Sequence, residues 1–131
     1  MKTTTVWKTG HAFDSMQHES KIEVDAKNGF SPKALLLTGL AACSGVDVVD
    51  ILEKMRVPFE NLKIEAETEQ TDDQPRVFKT IHLIYHVKAD PDQLSKIQKA
   101  IDLSLEKYCG VAAMLKKNSK IKYSIQMEDI S

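Results

Sequence analysis

"LLLTGLAACSGVDVVDIL", Leu35–Leu52, is the stretch that decides the fold. Its apolar residues fall on nearly every side of a 3.6-residue turn, whereas a surface helix carries them on one stripe. Just upstream, Ser31 is a good N-cap and Pro32 stands at the first helical position, where its missing N–H costs nothing. Downstream, Pro58 forces a stop. The spacing predicts one helix from about Pro32 to Met55, roughly 35 Å long at ~1.5 Å per residue. A helix that is apolar all round has to be covered all round, and one sheet of about six short strands covers only one side. A second copy of the chain is the expected cover, in an obligate homodimer with this helix central; the alternative is that the helix over 91–108 covers it within one chain. Gly39 and Gly45 each cost about 1 kcal/mol relative to Ala in a helix interior. They are expected where another backbone or a bulky side chain comes close.

Working outward, residues 2 to 25 alternate as a three-stranded meander. Its pieces are "TTTVWK", "HAFDSMQ" and "KIEVDA", with Thr9-Gly10 as a turn and Asn28-Gly29 ending the strands. After the helix, "LKIEAETE" sets Leu62, Ile64 and Ala66 against Lys63, Glu65 and Glu67. "RVFKTIHLIYHV" puts Val77, Ile81, Leu83, Tyr85 and Val87 on one face. The two read as an antiparallel hairpin with one buried side. Asp90-Pro91-Asp92-Gln93 is a helix start, and Leu94, Ile97, Ile101, Leu105 and Tyr108 follow at helical spacing. Cys109-Gly110 breaks that helix. "VAAMLKKN" gives a short further helix, and "KIKYSIQM" a last strand with Ile121, Tyr123, Ile125 and Met127 inward. The expected fold class is α+β: an antiparallel sheet in the order βββ-α-ββ-αα-β around a long central helix, as a single domain over 1–131.

Eighteen basic against nineteen acidic residues leave a net charge of -1, and the lysines are scattered without interleaved aromatics. Neither a nucleic-acid nor a membrane partner is expected from that balance. The opening "MKTTTVWKTG" lacks the apolar run and cleavage site of a secretory signal. Ser44, Asp47 and Asp50 interrupt the long helix short of the ~20 clean residues of a bilayer span. The expected compartment is therefore the cytoplasm, where two cysteines are more often free, catalytic or redox-active than bridged.

Cys43 shares a helix face with Asp47, about 40° away, and with Asp50, about 20° away on the other side. Two readings stand for it. Free Cys is among the most buried residue types, so Cys43 can be an inert core thiol. As a nucleophile it would need a cation or helix N-terminus to favour its thiolate, and ionised aspartates act the other way. Asp50 reads best as lining a solvated groove or as a local cap. Cys109 lies at the kink beside Gly110, a position open to a second thiol. His82 and His86 point to one side of their strand, half a metal site with no third ligand in view. His11 and His18 read as surface residues. No GxGxxG, GxxxxGK[ST], CxxC or HExxH occurs, so no cofactor or metal is expected.

Taken together, "SPKALLLTGLAACSGVDVVDIL", a hairpin, "SLEKYCGVAAML" and a terminal strand resemble the OsmC/Ohr family, most closely its OsmC-like branch with a "CxGxD" helix, here Cys43 to Asp47. The resemblance covers nearly the whole chain in element order. It implies an intertwined homodimer with two active sites at the interface and the reduction of organic hydroperoxides. It also implies Cys43 as the peroxidatic thiol, Cys109 as the resolving one, Asp47 as a site neighbour, and an external dithiol reductant such as a lipoylated protein. Three departures stand out. Lys33 occupies the position after the helix-opening proline where Ohr-type members carry a glutamate. Residues 1 to 30 contain no arginine to pair with it. Gly110 replaces the proline after the second cysteine. Lys8 and Lys21 are the cations left to consider in the strands. The expected function is a thiol peroxidase acting in the response to oxidative stress. The alternative is a non-peroxidatic dimer of the same fold that binds a small hydrophobic molecule or senses redox state.

Overall fold

The computed structural model describes residues 1–129. The chain forms two compact units, one over Met1–Thr38 and one from Gly39 onward. In the first, β1 (Thr4–Thr9), β2 (Ala12–Gln17) and β3 (Ser20–Asp25) make an antiparallel meander in that order. The register pairs Trp7 with Phe13 and Phe13 with Val24, so these apolar residues share one face. On the other face Lys8 and Lys21 converge on Asp14 at 3.5 and 3.9 Å, and Lys21 also reaches Glu23 at 4.0 Å. At the exit from β3, the Asp25 carboxylate accepts the Lys27 and Asn28 amides at 2.9 and 3.1 Å. Those two bonds hold its pKa below the ordinary 3.8. The loop closes so tightly that a Cβ on Gly29 would lie 3.2 Å from Asp25 Cβ, which is why glycine stands there.

The long helix α1 runs over Pro32–Lys54, with Ser31 Oγ accepting the Ala34 amide at 3.2 Å as its N-cap. Its end is a Schellman motif. The Arg56 amide donates to Glu53 O at 3.0 Å and the Val57 amide to Leu52 O at 2.9 Å, with Leu52 and Val57 both buried beside the motif. The residue that must be left-handed is Arg56, at φ 58°. A left-handed side-chain-bearing residue costs roughly 1–2 kcal/mol, partly offset in a glycine by its freer unfolded chain. Arg56→Gly should therefore raise unfolding stability by about 0.5–1 kcal/mol, read as a higher urea midpoint. A lower midpoint would contradict this reading of the helix end.

In the second unit, β4 (Glu60–Gln70), β5 (Phe78–Lys88) and β6 (Lys120–Glu128) pair in the order β4-β5-β6. β4 and β5 are antiparallel, and β6 runs parallel to β5, with Ile81 opposite Ile121 and Tyr85 opposite Ile125. The α+β class and the element order hold, but the single antiparallel sheet is corrected to two three-stranded sheets, the second of them mixed. The reason is the connection. Between β5 and β6 the chain passes through a 3-10 turn (Pro91–Gln93), α2 (Leu94–Leu103), a π-turn (Ser104–Tyr108) and α3 (Gly110–Leu115). A crossover of that length lets a strand return in the same direction, whereas a tight turn reverses it. Alternation in the sequence carries no strand direction.

Ile81, Leu83, Tyr85 and Val87 of β5 are buried as expected, together with Ile97 and Ile101 of α2 and Leu105 of the π-turn. Val77, Leu94 and Tyr108 are not: they are 39%, 40% and 54% exposed. Val77 precedes β5 at a shift in the β4–β5 register, and Leu94 is the first residue of α2. Tyr108 is turned out because a π-turn is wider than an α-turn. The fourth residue after Leu105, Cys109, returns to the buried face instead of the third. Along α1 only Leu40, Ser44, Val48 and Leu52 are buried. Val46 remains 61% exposed and Leu36 50%, so α2 does not supply the missing cover within one chain. Length and apolar composition alone would let α1 cross a bilayer, interruptions included. Its Gly45, however, faces β4, where a Cβ would lie 3.2 Å from Ile64 Cδ1. Gly39 has nothing within 4 Å of that position among the described residues, so the close approach expected at both glycines holds for Gly45 alone within one chain.

Candidate active site

Cys43 stands one residue before Ser44 of the buried α1 stripe, so its thiol lies at the edge of the core and is half-buried. Cys109 is 3% exposed. Both are free thiols, and Cys43 lies close enough to Cys109 to act on its titration. The expectation that Cys109 would be open beside Gly110 is corrected: Gly110 is exposed, but the Cys109 sulfur points inward.

The π-turn explains that placement. In an α-helix the Cys109 amide would donate to Leu105 O. Here it reaches one residue further back, to Ser104 O at 2.7 Å. Leu105 O, left without its helical donor, accepts instead from the Lys116 ammonium. Cys109 itself is extended, at φ -76° and ψ 106°, and its Sγ accepts the Ala112 amide at 3.3 Å, capping α3. Burial pushes the Cys109 thiol up to about 11; the Ala112 amide bond works against this, and the neighbouring Cys43 sulfur adds to it.

Behind the thiols lies a chain of hydroxyls. The Tyr85 hydroxyl is 2.6 Å from Ser44 Oγ, which is 2.9 Å from Ser104 Oγ, which is 2.9 Å from Asp47 Oδ2. Ser44, Tyr85 and Ser104 are all fully buried. Burial raises the Tyr85 phenol to about 12 despite its bond to Ser44, and Cys109 and Asp47 contribute in the same direction. The Tyr85 ring meets Tyr123 edge-on at 5.9 Å, and Tyr123 donates to Asp102 at 2.7 Å. Asp47 and Asp50 line one surface pocket with Ile51, Lys54, Leu103 and Tyr108. Asp50 is exposed there, in line with a solvated groove. Neither aspartate has an ion pair within 4 Å among the described residues.

Residues 12–124 match the OsmC-like protein family. The chain belongs to that family. Among curated proteins it is similar to Protein YhfA of Escherichia coli strain K12, 35% identical over 97 residues that span 74% of this chain and 72% of YhfA. Among solved structures it is similar to a hypothetical protein from Aquifex aeolicus VF5, with 27% identity, a TM-score of 0.90 and coverage of 99% and 97% of the two chains. An OsmC like protein from Mycoplasma pneumoniae aligns with a TM-score of 0.85 at 20% identity, over 96% and 95%. OhrB of Bacillus subtilis, an organic hydroperoxide resistance protein, aligns with a TM-score of 0.67 at 18% identity, over 95% and 96%. The last two likenesses establish the fold.

In this OsmC-like chain the remaining sequence candidates take other places. Lys8 and Lys21 are engaged by Asp14 on the first sheet, and Lys33 lies in the first turn of α1. His82 meets Ser124 Oγ at 3.0 Å, on β6, while His86 pairs with Glu65 on β4. The two histidines are thus taken by different strands. His11 and His18 are exposed in turns. Gly110, where the family resemblance implied proline, opens α3, and a Cβ there would meet nothing within 4 Å.

Sequence reasoning missed Ser44, Ser104 and the hydroxyl role of Tyr85. The signal was present: each is a polar group at a core position of an apolar stripe. The stripes are Leu40-Ser44-Val48-Leu52 on α1, Ile97-Ile101-Ser104 on α2 and the π-turn, and Leu83-Tyr85-Val87 on β5. Buried polar groups need partners, and three at such positions can supply one another.

The raised pKa values of three groups give stability a pH dependence. Cys109 rises from 9.0 to about 11, and Tyr85 and Tyr123 rise from 10.0 to about 12. Each is neutral when protonated, so burial favours the proton in the fold. As pH rises through the lower values the unfolded chain releases these protons first, and stability falls. Unfolding midpoints in urea should decline from about pH 9 and keep declining toward about pH 12. A flat profile over that window would contradict the burial of these groups.

Proposed function

We propose that this chain is a cytoplasmic, homodimeric thiol peroxidase that reduces small organic hydroperoxides at the expense of an external dithiol. The observation that carries the reading is the thiol pair: Cys43, half-buried on α1, beside the buried Cys109, whose pKa it helps raise. The Cys43 thiolate attacks the terminal oxygen of the hydroperoxide. The O–O bond breaks, the alcohol leaves with a proton, and Cys43 becomes a sulfenic acid. The Cys109 sulfur then attacks the Cys43 sulfur. A disulfide forms, and the hydroxyl leaves with the Cys109 proton as water. The dithiol reduces that disulfide by exchange and is itself oxidised. A resolving thiol held up near about 11 stays protonated until the sulfenic acid is beside it, and so does not compete for peroxide.

Membership in the OsmC-like family supports the reading. So does the helix on which Cys43 sits: α1 keeps its apolar Leu36 and Val46 exposed, and a second copy is the cover this reading assigns them. The test is hydroperoxide consumption by the purified protein. Without reductant, each chain should consume about one equivalent of an alkyl hydroperoxide and yield a Cys43–Cys109 disulfide. With a dithiol present, consumption should continue. Failure to consume any hydroperoxide would overturn the reading and leave the binding of a small hydrophobic molecule as the alternative, a property that Cys43→Ser would preserve.

A further inference from the structure

We propose that Ser104 is a positioning residue for the thiol pair, and that with Ser44, Tyr85 and Asp47 it clamps the π-turn carrying Cys109 onto the turn of α1 carrying Cys43. The proposal deepens the peroxidase reading, which supplies the reason to bring the two sulfurs together, but the clamp is testable without peroxide.

The Ser104 hydroxyl faces two acceptors on α1, Ser44 Oγ and Asp47 Oδ2, each at 2.9 Å, and shares its one proton between them. Ser44 Oγ also lies 2.6 Å from the Tyr85 hydroxyl, a bond in which either group can donate. Ser104 is the joint of this chain. Its carbonyl accepts the Cys109 amide at 2.7 Å, the bond that makes the turn π rather than α. Its side chain ties the same residue to Ser44, the neighbour of Cys43, and to Asp47, one helical turn beyond Cys43. The backbone of one cysteine and the helix of the other are thus joined through a single buried side chain. An alanine at this place would leave two polar groups, Ser44 Oγ and Asp47 Oδ2, to find other partners. It would also free the π-turn to slide to the α register, in which Cys109 turns off the buried face.

The experiment equilibrates the protein in mixtures of reduced and oxidised dithiothreitol and measures the fraction carrying the Cys43–Cys109 disulfide by alkylation and mass spectrometry. Ser104→Ala should lower the equilibrium constant for the disulfide about tenfold relative to the unchanged protein, and Tyr85→Phe about threefold, in keeping with the loss of two bonds and one. Ile97→Val serves as the control. It removes a methyl from the α2 core without touching the chain of hydroxyls, so it should lower thermal stability while leaving the disulfide equilibrium unchanged. If Ser104→Ala does not fold, Tyr85→Phe carries the test, since its ring is retained. Equilibria unaltered in the variants, or lowered equally by Ile97→Val, would overturn the clamp. So would an unchanged protein that forms no Cys43–Cys109 disulfide at any dithiothreitol ratio. A protein with a clamped disulfide but no hydroperoxide turnover would instead support the clamp and overturn the peroxidase reading.

Discussion

Cys43→Ser should lower hydroperoxide turnover by at least about a thousandfold, because the hydroxyl that replaces the thiol is far too weakly acidic to attack an O–O bond at neutral pH. The partner substitution separates the two half-reactions. Cys109→Ser should consume about one equivalent of hydroperoxide per chain at an unaltered rate and then stop in a thiol-free buffer, because the sulfenic acid at Cys43 has lost its resolving thiol. Stopped-flow consumption of an alkyl hydroperoxide, with and without dithiol, reads both. If Cys43→Ser kept more than a few per cent of the activity while Cys109→Ser lost it, the roles would be reversed. The buried Cys109, raised to about 11, is poorly suited to be the attacking thiol.

Leu52→Ala should cost about 2–5 kcal/mol of unfolding stability, the range for emptying a leucine site in a close-packed core. Leu52 is fully buried, as is the neighbouring stripe residue Val48. It is also the residue whose carbonyl accepts the Val57 amide in the Schellman motif, so its side chain closes the hydrophobic contact at the helix end. A substitution at the exposed Val46, six residues earlier on α1, should cost far less within one chain. In the proposed homodimer its effect is expected instead as a lower stability at low protein concentration. Urea unfolding of both variants, each at a high and a low protein concentration, is the measurement. A loss below about 1 kcal/mol for Leu52→Ala would mean that this end of α1 is not part of the core.

Much of this was legible in the sequence, for reasons that also mark where legibility ended. The Ser31 cap, the Pro32 start and the apolar run gave α1 to within a residue, since each signal is local. The meander and the hairpin were legible from period-two alternation. The direction of β6 was not, because alternation is the same in parallel and antiparallel strands and only the crossover decides. Cys43 and Cys109 stood out as the two cysteines, and their approach to one another required the fold. The π-turn was invisible because its cause is tertiary: the Ser104 side chain is held by Ser44 and Asp47 from α1, 57 to 60 residues away in the chain. The same holds for Asp47. Spacing placed it beside Cys43 as a charge that would oppose a thiolate, whereas its carboxylate is the end of a buried hydroxyl chain. No ion pair was needed to explain it.

The central claim, that Cys43 reduces hydroperoxides, is tested most directly on Cys109→Ser protein treated with one equivalent of an alkyl hydroperoxide and then with dimedone. The expected result is one dimedone adduct on Cys43 in nearly every chain, with the hydroperoxide converted to its alcohol. An intact hydroperoxide and a Cys43 that remains a free thiol would contradict it.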